Sequence, residues 1–354
     1  MSKSCIGYMR IYRDIFNQII SLENLFSAWD EFRQDKRKRI DVLEFESNLE
    51  PNIFQLSRQL KTQTYKHGSY ASFYIHDPKQ RNINKAIVRD RVLHHAVFKI
   101  LNPIFEPTFI ANSFSCRPDK GTHKGVNILA KILRQLSQNN HKDCFILKCD
   151  IKKFFASVDH QILLSIIKRK IKDEKAIWLV TEIIESFSFL KYSEPKNKRG
   201  LPIGNLTSQL FANVYLNEFD QFIKHQLKIK YYLRYTDDFV IIANNRFYLK
   251  NLIYLINDFL KDKLKLELHP NKTFISKFHQ GIDFLGYILF PHHRLVRNKT
   301  KKRMLKKLEI RFADYKNNKI DELTFKQSFQ SYLGVLSHAD CYELSQELKN
   351  QFWF

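Results

Sequence analysis

Tyr231-Tyr-Leu-Arg-Tyr-Thr-Asp-Asp-Phe-Val-Ile-Ile242 is the stretch on which the fold turns. Two apolar, β-prone runs, Tyr231–Tyr235 and Phe239–Ile242, flank Thr236-Asp237-Asp238. Aromatic and β-branched residues favour strands, and a short polar break favours a turn. The pattern therefore predicts a hairpin with Thr236-Asp237-Asp238 as its tip. Asp favours turns for its own local reasons, so an Asp-Asp pair alone carries no function. Two carboxylates at a hairpin tip can also project into a cleft and hold a divalent cation.

A second run favours the cation reading. Cys144-Phe-Ile-Leu-Lys-Cys-Asp150 is nearly all apolar and ends in an acid. This is the pattern of a buried central strand with a carboxylate at its tip. Carboxylates that bridge two cations about 3.5–4 Å apart can clamp the attacking and leaving oxygens of a phosphoryl transfer. Magnesium needs few protein acids when substrate phosphates complete its shell. Asp150, Asp237 and Asp238 are the candidate set.

The bulk composition agrees with a phosphate-bearing partner. The chain has 354 residues, 59 Lys plus Arg against 36 Asp plus Glu, and a net charge of +23. That excess calls for an anionic partner, and nucleic acid comes first. The length suits two or three packed subdomains, and 44% hydrophobic residues can fill a core. No apolar run reaches the ~18 residues that a membrane span needs. The first residues lack the apolar stretch of a signal peptide. The expectation is a cytoplasmic protein with no membrane partner. Cys5, Cys116, Cys144, Cys149 and Cys341 are scattered and form no C-x-x-C pair, which argues for reduced thiols rather than zinc or disulfides.

Elsewhere the chain alternates helical and strand patterns without a regular βαβ period, which predicts an α+β fold. Residues 1 to about 50 read as charged helices, with Lys36-Arg-Lys-Arg39 as a solvated basic face or a nucleic-acid contact. Residues 73–83 read as two short strands around a Pro78 turn. A helix from Ile87 should end at Pro103 and Pro107. Further helices are expected across 159–190, from an N-cap at Ser208 to about Leu227, and across 247–266. Asp283–Leu289 reads as one strand, and the tail from about 297 as helices. His94-His95 and His292-His293 read as structural, because neighbours on a helix do not share a face.

In order and wording these blocks resemble the reverse transcriptases of bacterial retroelements. Tyr235-Thr-Asp-Asp238 matches the family's Tyr-x-Asp-Asp box, and Asp150-Ile-Lys-Lys-Phe-Phe155 the motif that supplies the third acid. His269-Pro-Asn-Lys-Thr273, Asp283-Phe-Leu-Gly-Tyr287, Lys79-Gln-Arg81 and Arg89-Asp-Arg91 resemble further blocks over about 65–345. The resemblance implies a right-hand polymerase: an N-terminal helical extension (1–50), fingers (51–145), a palm with an antiparallel sheet (146–290) and a helical thumb (291–354).

It also implies roles. Asp150, Asp237 and Asp238, with the backbone carbonyl of Ile151, would hold two Mg²⁺, with Mn²⁺ as a substitute. Lys79 and Arg81 would meet the triphosphate of a dNTP. Phe155 would exclude a ribose 2′-hydroxyl. Lys272 would act as general acid toward pyrophosphate. Phe284, Leu285, Gly286 and Tyr287 would grip the primer. Arg297, Lys301, Lys302, Arg303, Lys306 and Lys307 would hold the nucleic-acid backbone from a thumb helix whose apolar face is Leu305, Leu308 and Phe312.

One block narrows the expectation. Gly200-Leu-Pro-Ile-Gly-Asn-Leu-Thr-Ser-Gln209 carries Ile203-Gly204 and Ser208-Gln209 where retroviral-type enzymes have Gln-Gly and Ser-Pro. This form resembles the enzymes of diversity-generating retroelements, which copy with errors. Loss of one buried polar contact lowers discrimination by ~1–3 kcal/mol. Ile203, Gly204 and Gln209 are thus counted as nucleotide-site residues. Three readings stand: an error-prone diversity-generating enzyme, an antiphage-defence enzyme that makes DNA from an associated non-coding RNA or without a conventional template, and a maturase-like RNA-binding protein. The partners implied are an RNA template, a cDNA product, dNTPs, and a small basic accessory protein or second polymerase subunit.

Overall fold

The computed structural model describes residues 10–76, 80–188 and 198–352. In chain order the N-terminal helices are α1 (Phe16–Ile20), α2 (Leu22–Arg33), α3 (Ile40–Glu46) and α4 (Leu49–Lys61). The hairpin strands β1 (Tyr70–Ile75) and β2 (Arg81–Ala86) follow, then α5 (Val88–Phe105) and α6 (Thr122–Leu136). Strand β3 (Phe145–Asp150) leads to α7 (Phe154–Ser157), α8 (His160–Lys170), α9 (Glu174–Glu185) and α10 (Leu206–Gln221). Next come β4 (Tyr232–Tyr235), β5 (Asp238–Ala243), α11 (Arg246–Leu264) and β6 (Phe274–Lys277). The chain closes with β7 (Ile282–Phe284), β8 (Tyr287–Leu289), β9 (Arg294–Val296), α12 (Asn298–Lys316), α13 (Glu322–Leu336) and α14 (Tyr342–Phe352).

Contacts group the chain into two units. One runs up to Ala111 and adds Ile151–Lys228 and Ile256–Leu268. The other holds Asn112–Asp150, Ile229–Leu255 and the chain from His269 onward.

The second unit is built on an antiparallel sheet of order β4-β5-β3-β6. β3 lies inside it, paired with β5 on one side and β6 on the other. Side chains alternate across a strand, so Cys144, Ile146, Lys148 and Asp150 share one face. The apolar half of that face, Ile146 with Leu233, Val240 and Ile242, belongs to a core completed by α6 and the tail helices through Leu129, Leu133, Met304, Leu308, Phe325 and Phe329. The opposite face carries Leu147, Cys149, Phe239 and Ile241, all fully buried. Burial on both faces explains why β3 and β5 are near-continuous apolar runs. Truncating Phe239 to Ala would cost about 3–5 kcal/mol. A second sheet, the antiparallel meander β7-β8-β9, leads into α12.

The first unit is mainly helical. Side-chain caps begin several of its helices: Asp159 accepts from the Ile162 N–H at α8, and Asp173 from the Ala176 N–H at α9. α10 is buried along most of its length and continues into a π-helical turn over Phe222–Gln226. Phe222 stacks on Phe259 there, ring centroids 4.0 Å apart. Among the described residues no helix is long and apolar enough to cross a membrane.

Several expectations need correction. α5 does not stop at Pro103; it runs to Phe105, and the Glu106 N–H still reaches the Asn102 carbonyl. Proline removes one N–H, and here burial of Leu101, Ile104 and Phe105 holds the last turn together. α10 starts two residues before Ser208. Its N-cap is Asn205, which makes no side-chain cap bond; the Asn205 amide donates to the Asn84 carbonyl at 3.2 Å and ties the start of α10 to β2. Asp283–Leu289 is not one strand but a tight hairpin. Leu285 (φ +51°) and Gly286 (φ +92°) form its two-residue turn. The Pro78 turn lies outside the described residues, although both strands beside it form. His292 and His293 are not helical; they follow β8, and His293 stacks on Phe290 with centroids 4.6 Å apart. Cys116, Cys144, Cys149 and Cys341 carry free thiols.

Candidate active site

The register of the four-stranded sheet brings the acids together. Asp150, last in β3, is the direct cross-strand partner of Asp238, first in β5. Asp238 also faces Tyr235, so the β4–β5 turn has two residues, Thr236 and Asp237. Thr236 takes φ +54°, unusual for a β-branched residue, and the surroundings hold it there. Its hydroxyl donates to Ser115 Oγ at 2.6 Å, and its carbonyl accepts from Arg234 Nη1 at 3.2 Å. Arg234 is fully buried, and its backbone pairs with Asn112 and Phe114. Asp237 thus heads a turn braced from below.

Lysines balance these acids. The segment that leads into β6 bends through a 3₁₀ turn at Pro270–Lys272. The His269 N–H donates to the Asp150 carbonyl at 2.7 Å. This bend delivers Lys272 Nζ to Asp150 Oδ1 at 2.8 Å. Lys148 Nζ stands 3.6 Å from Asp238 Oδ2 and donates to the Asp283 carbonyl at 2.6 Å. Asp283 in turn pairs with Arg297, whose N–H donates to the Gly286 carbonyl at 2.9 Å. The predicted grip residues Phe284–Tyr287 are therefore tied to the acid-bearing sheet, within one unit.

Asp238 is the acid of the site whose titration burial shifts. Burial pushes its carboxyl up to about 6; Lys148 opposes this, while Asp237, Asp150 and Asp283 add to it. Asp238 Oδ1 is buried and has no hydrogen-bond partner. A buried carboxylate oxygen left open beside two further acids is the donor a hard cation takes. Among the described residues no three His, Cys, Asp or Glu side chains enclose a point by themselves. Magnesium suits such an open set, because it is held by few carboxylates and completed by substrate phosphates. The open acid oxygen fits a hard divalent cation that substrate phosphates would complete.

Ile151, Phe155, Ile203, Gly204, Gln209 and Arg81 lie in the first unit. Ile151 follows Asp150 and forms an antiparallel bridge with Leu268. The bonds of that bridge are made by their neighbours, which leaves the Ile151 carbonyl outside the ladder. Phe155 is half-buried, whereas Phe154 beside it is a core residue at 1% exposure. The Phe155 carbonyl accepts from Leu201 N–H at 2.7 Å, and the Ile203 carbonyl from Asn84 N–H at 3.0 Å. These bonds seat the 200–209 loop against α7 and β2. Gly204 (φ +118°) is exposed, and a Cβ there would come 3.0 Å from Ile83. Gln209 and Arg81 are exposed. Lys79 lies outside the described residues. In the second unit, α12 buries Met304 and Leu308 and leaves Lys302, Lys306 and Lys307 exposed, with Lys301 and Arg303 half-buried.

No sequence motif marks Lys148 or the Asp283–Arg297 pair. The available signal was position: Lys148 is two residues before Asp150 in a strand, hence on its face.

Comparison with known proteins agrees with this geometry. The family model described as "Reverse transcriptase (RNA-dependent DNA polymerase)" matches residues 72–289. Protein YkfC of Escherichia coli is 25% identical over 258 residues, covering 63% of this chain and 65% of its own. The group II intron-encoded protein LtrA of Lactococcus lactis is 26% identical over 307 residues, covering 67% of this chain and 49% of its own. Nuclear intron maturase 1 of Arabidopsis thaliana is 26% identical over 110 residues, covering 31% of this chain and 14% of its own. The chain thus spans from about half to two-thirds of YkfC and LtrA. A braced Asp-Asp turn facing a third acid across an antiparallel sheet, with a family match over most of the chain, leads to one assignment: this chain belongs to the reverse transcriptase (RNA-dependent DNA polymerase) family and has its α+β right-hand polymerase fold.

Proposed function

We propose that the chain extends a primer 3′-hydroxyl with dNTPs on an RNA template, by a two-metal mechanism. The observation that carries this reading is the cross-strand pair Asp150–Asp238 with Asp237 at the adjoining turn and Asp238 Oδ1 left open. Asp150, Asp237 and Asp238, with the Ile151 carbonyl, would hold two Mg²⁺, or Mn²⁺ in its place, and the ions would stabilise charge on the transferring phosphate. Lys272 leaves Asp150 as nucleotide binds and gives its proton to departing pyrophosphate. Arg81, with Lys79, neutralises the triphosphate. Phe155 stands beside the sugar. The 284–287 hairpin seats the primer end, and Arg297, Lys301, Lys302, Arg303, Lys306 and Lys307 hold the duplex backbone. Fingers, palm and thumb follow the divisions at 51, 146 and 291 given above.

The finer reading is error-prone copying of the kind used in diversity generation. Its support is Ile203, an apolar side chain where a polar one would discriminate. The protein acts in the cytoplasm, on a dedicated RNA, with a small basic accessory protein. A second reading has a specific observation in its favour: LtrA is described as intron-encoded and another relative as an intron maturase. In that reading RNA binding serves folding of an intron.

The test is primer extension by purified protein on a primed RNA with Mg²⁺, together with sequencing of the copurifying nucleic acid. Extended DNA with errors concentrated at template adenines supports the proposal. Tight RNA binding with no extension on any template supports the maturase reading.

A further inference from the structure

The site contains a cation that the catalytic scheme above leaves without a task. Lys148 sits on the interior strand β3 with only 15% of its side chain exposed. An ammonium in such a place is costly unless its bonds are fixed, so its partners matter. It has two. One is the Asp238 carboxylate, through Oδ2 at 3.6 Å. The other is the hairpin β7–β8, through the Asp283 carbonyl at 2.6 Å, with the Asp283 carboxylate 4.0 Å away.

The hairpin is held from its other side as well. Arg297, which opens α12, pairs with the Asp283 carboxylate and donates its N–H to the Gly286 carbonyl at the hairpin tip. A single path therefore runs from the acid at the end of β5, through Lys148, to the base of the hairpin, and through Arg297 to its tip. Lys148 engages only one Asp238 oxygen. The other, Oδ1, stays open.

We propose that Lys148 is a positioning residue for polymerisation: it fixes which Asp238 oxygen faces the reacting centre and holds the 282–289 hairpin in register with that acid. The inference rests on the polymerase reading of the site. It adds that primer seating and acid geometry are set by one ammonium rather than independently. A neutral side chain of similar length would leave the acid and the hairpin folded but uncoupled. An arginine, longer but still cationic, would restore part of the link.

Lys148→Met and Lys148→Arg test this in steady-state extension on a fixed primed RNA. For the Met variant the expected result is a kcat lowered about tenfold or more and a primer KM raised about tenfold, with the dNTP KM within twofold. The Arg variant should recover at least part of both. Hydrogen exchange on the free proteins gives a readout that needs no activity: amides of 282–289 should exchange faster in Lys148→Met, while those of α6 do not. An inactive wild-type protein would count against the polymerase reading, and the exchange result would then decide the coupling alone. A lowered Tm with kcat, primer KM and hairpin exchange all within twofold of wild type would overturn the proposal and leave Lys148 a packing residue.

Discussion

Two tight hairpins of the same unit invite comparison, the β4–β5 turn at Thr236-Asp237 and the β7–β8 turn at Leu285-Gly286. Both have two-residue tips, and both begin with a non-glycine residue at positive φ, Thr236 at +54° and Leu285 at +51°. Their supports differ. The first is braced from beneath by buried Arg234 and Ser115 and crowned by acids. The second gains its tip from a glycine, is tethered at its base by Lys148 and by the Arg297–Asp283 pair, and at its tip by the Arg297 N–H. The lesson is a division of labour. The acidic turn supplies charge in fixed positions, and the apolar turn supplies a shaped surface whose placement depends on that charge.

Experiments can break this comparison at several points. Asp150→Asn removes the acid that β3 sets against Asp238, so extension should fall by at least ~10³-fold, the scale of losing a charge-stabilising group at the reacting centre. Burst kinetics of nucleotide incorporation would show it, and activity within tenfold of wild type would separate Asp150 from the chemistry. Lys272→Ala should lower kcat about 10²-fold, as expected for a lost general acid. Single-turnover incorporation would show it, and a rate within twofold of wild type would make Lys272 only a partner of Asp150.

At the second hairpin the effect is on backbone. Gly286→Val must hold φ near +92° with a β-branched side chain, at a cost of ~1–3 kcal/mol. The space itself is open, with Thr300 Oγ1 at 3.7 Å the nearest atom to a Cβ there, so the cost is backbone strain. Thermal melts should show lower stability, and primer KM should rise more than dNTP KM.

Asp238 gives a pH signature. Its carboxyl titrates at about 6 in the folded protein, above the ordinary 3.8, so the folded state holds the proton more tightly. Without divalent metal, that stabilisation is complete below pH 4 and is lost as pH rises through about 6, a cost of about 2–3 kcal/mol. Asp238→Asn should therefore melt higher than wild type in EDTA at pH 7.5, with the difference vanishing toward pH 4.5. A mutant less stable at pH 7.5 would show that burial is not what raises the group. The smallest effect belongs to Ile203→Gln. It should sharpen nucleotide selection by ~1–3 kcal/mol, read as a lower error frequency in sequenced products.

The two hairpins also show how far the sequence carries. The acidic one was legible because Asp-Asp interrupts two strongly β-prone runs, and β3 because a long apolar run ends in one acid. The apolar hairpin was not. Leu285-Gly286 looks like strand interior, and only the positive φ of both residues makes it a turn. Pro103 and Ser208 misled for a related reason: local breaker and cap preferences yield to tertiary contacts, the buried end of α5 in one case and the Asn205–Asn84 bond in the other. Lys148 stayed hidden because its role depends on Asp238 and Asp283, far away in sequence. The division into two contact units, each assembled from distant segments, has no local signal at all.

The central claim is that the three acids form a metal-dependent polymerase centre. It is met most directly by extension of a primed RNA in Mg²⁺ by wild type and Asp237→Asn side by side, with melting curves confirming that both are folded. The expected result is DNA synthesis by the wild type, abolished by EDTA, and none above background by the variant. Undiminished synthesis by Asp237→Asn would contradict the account.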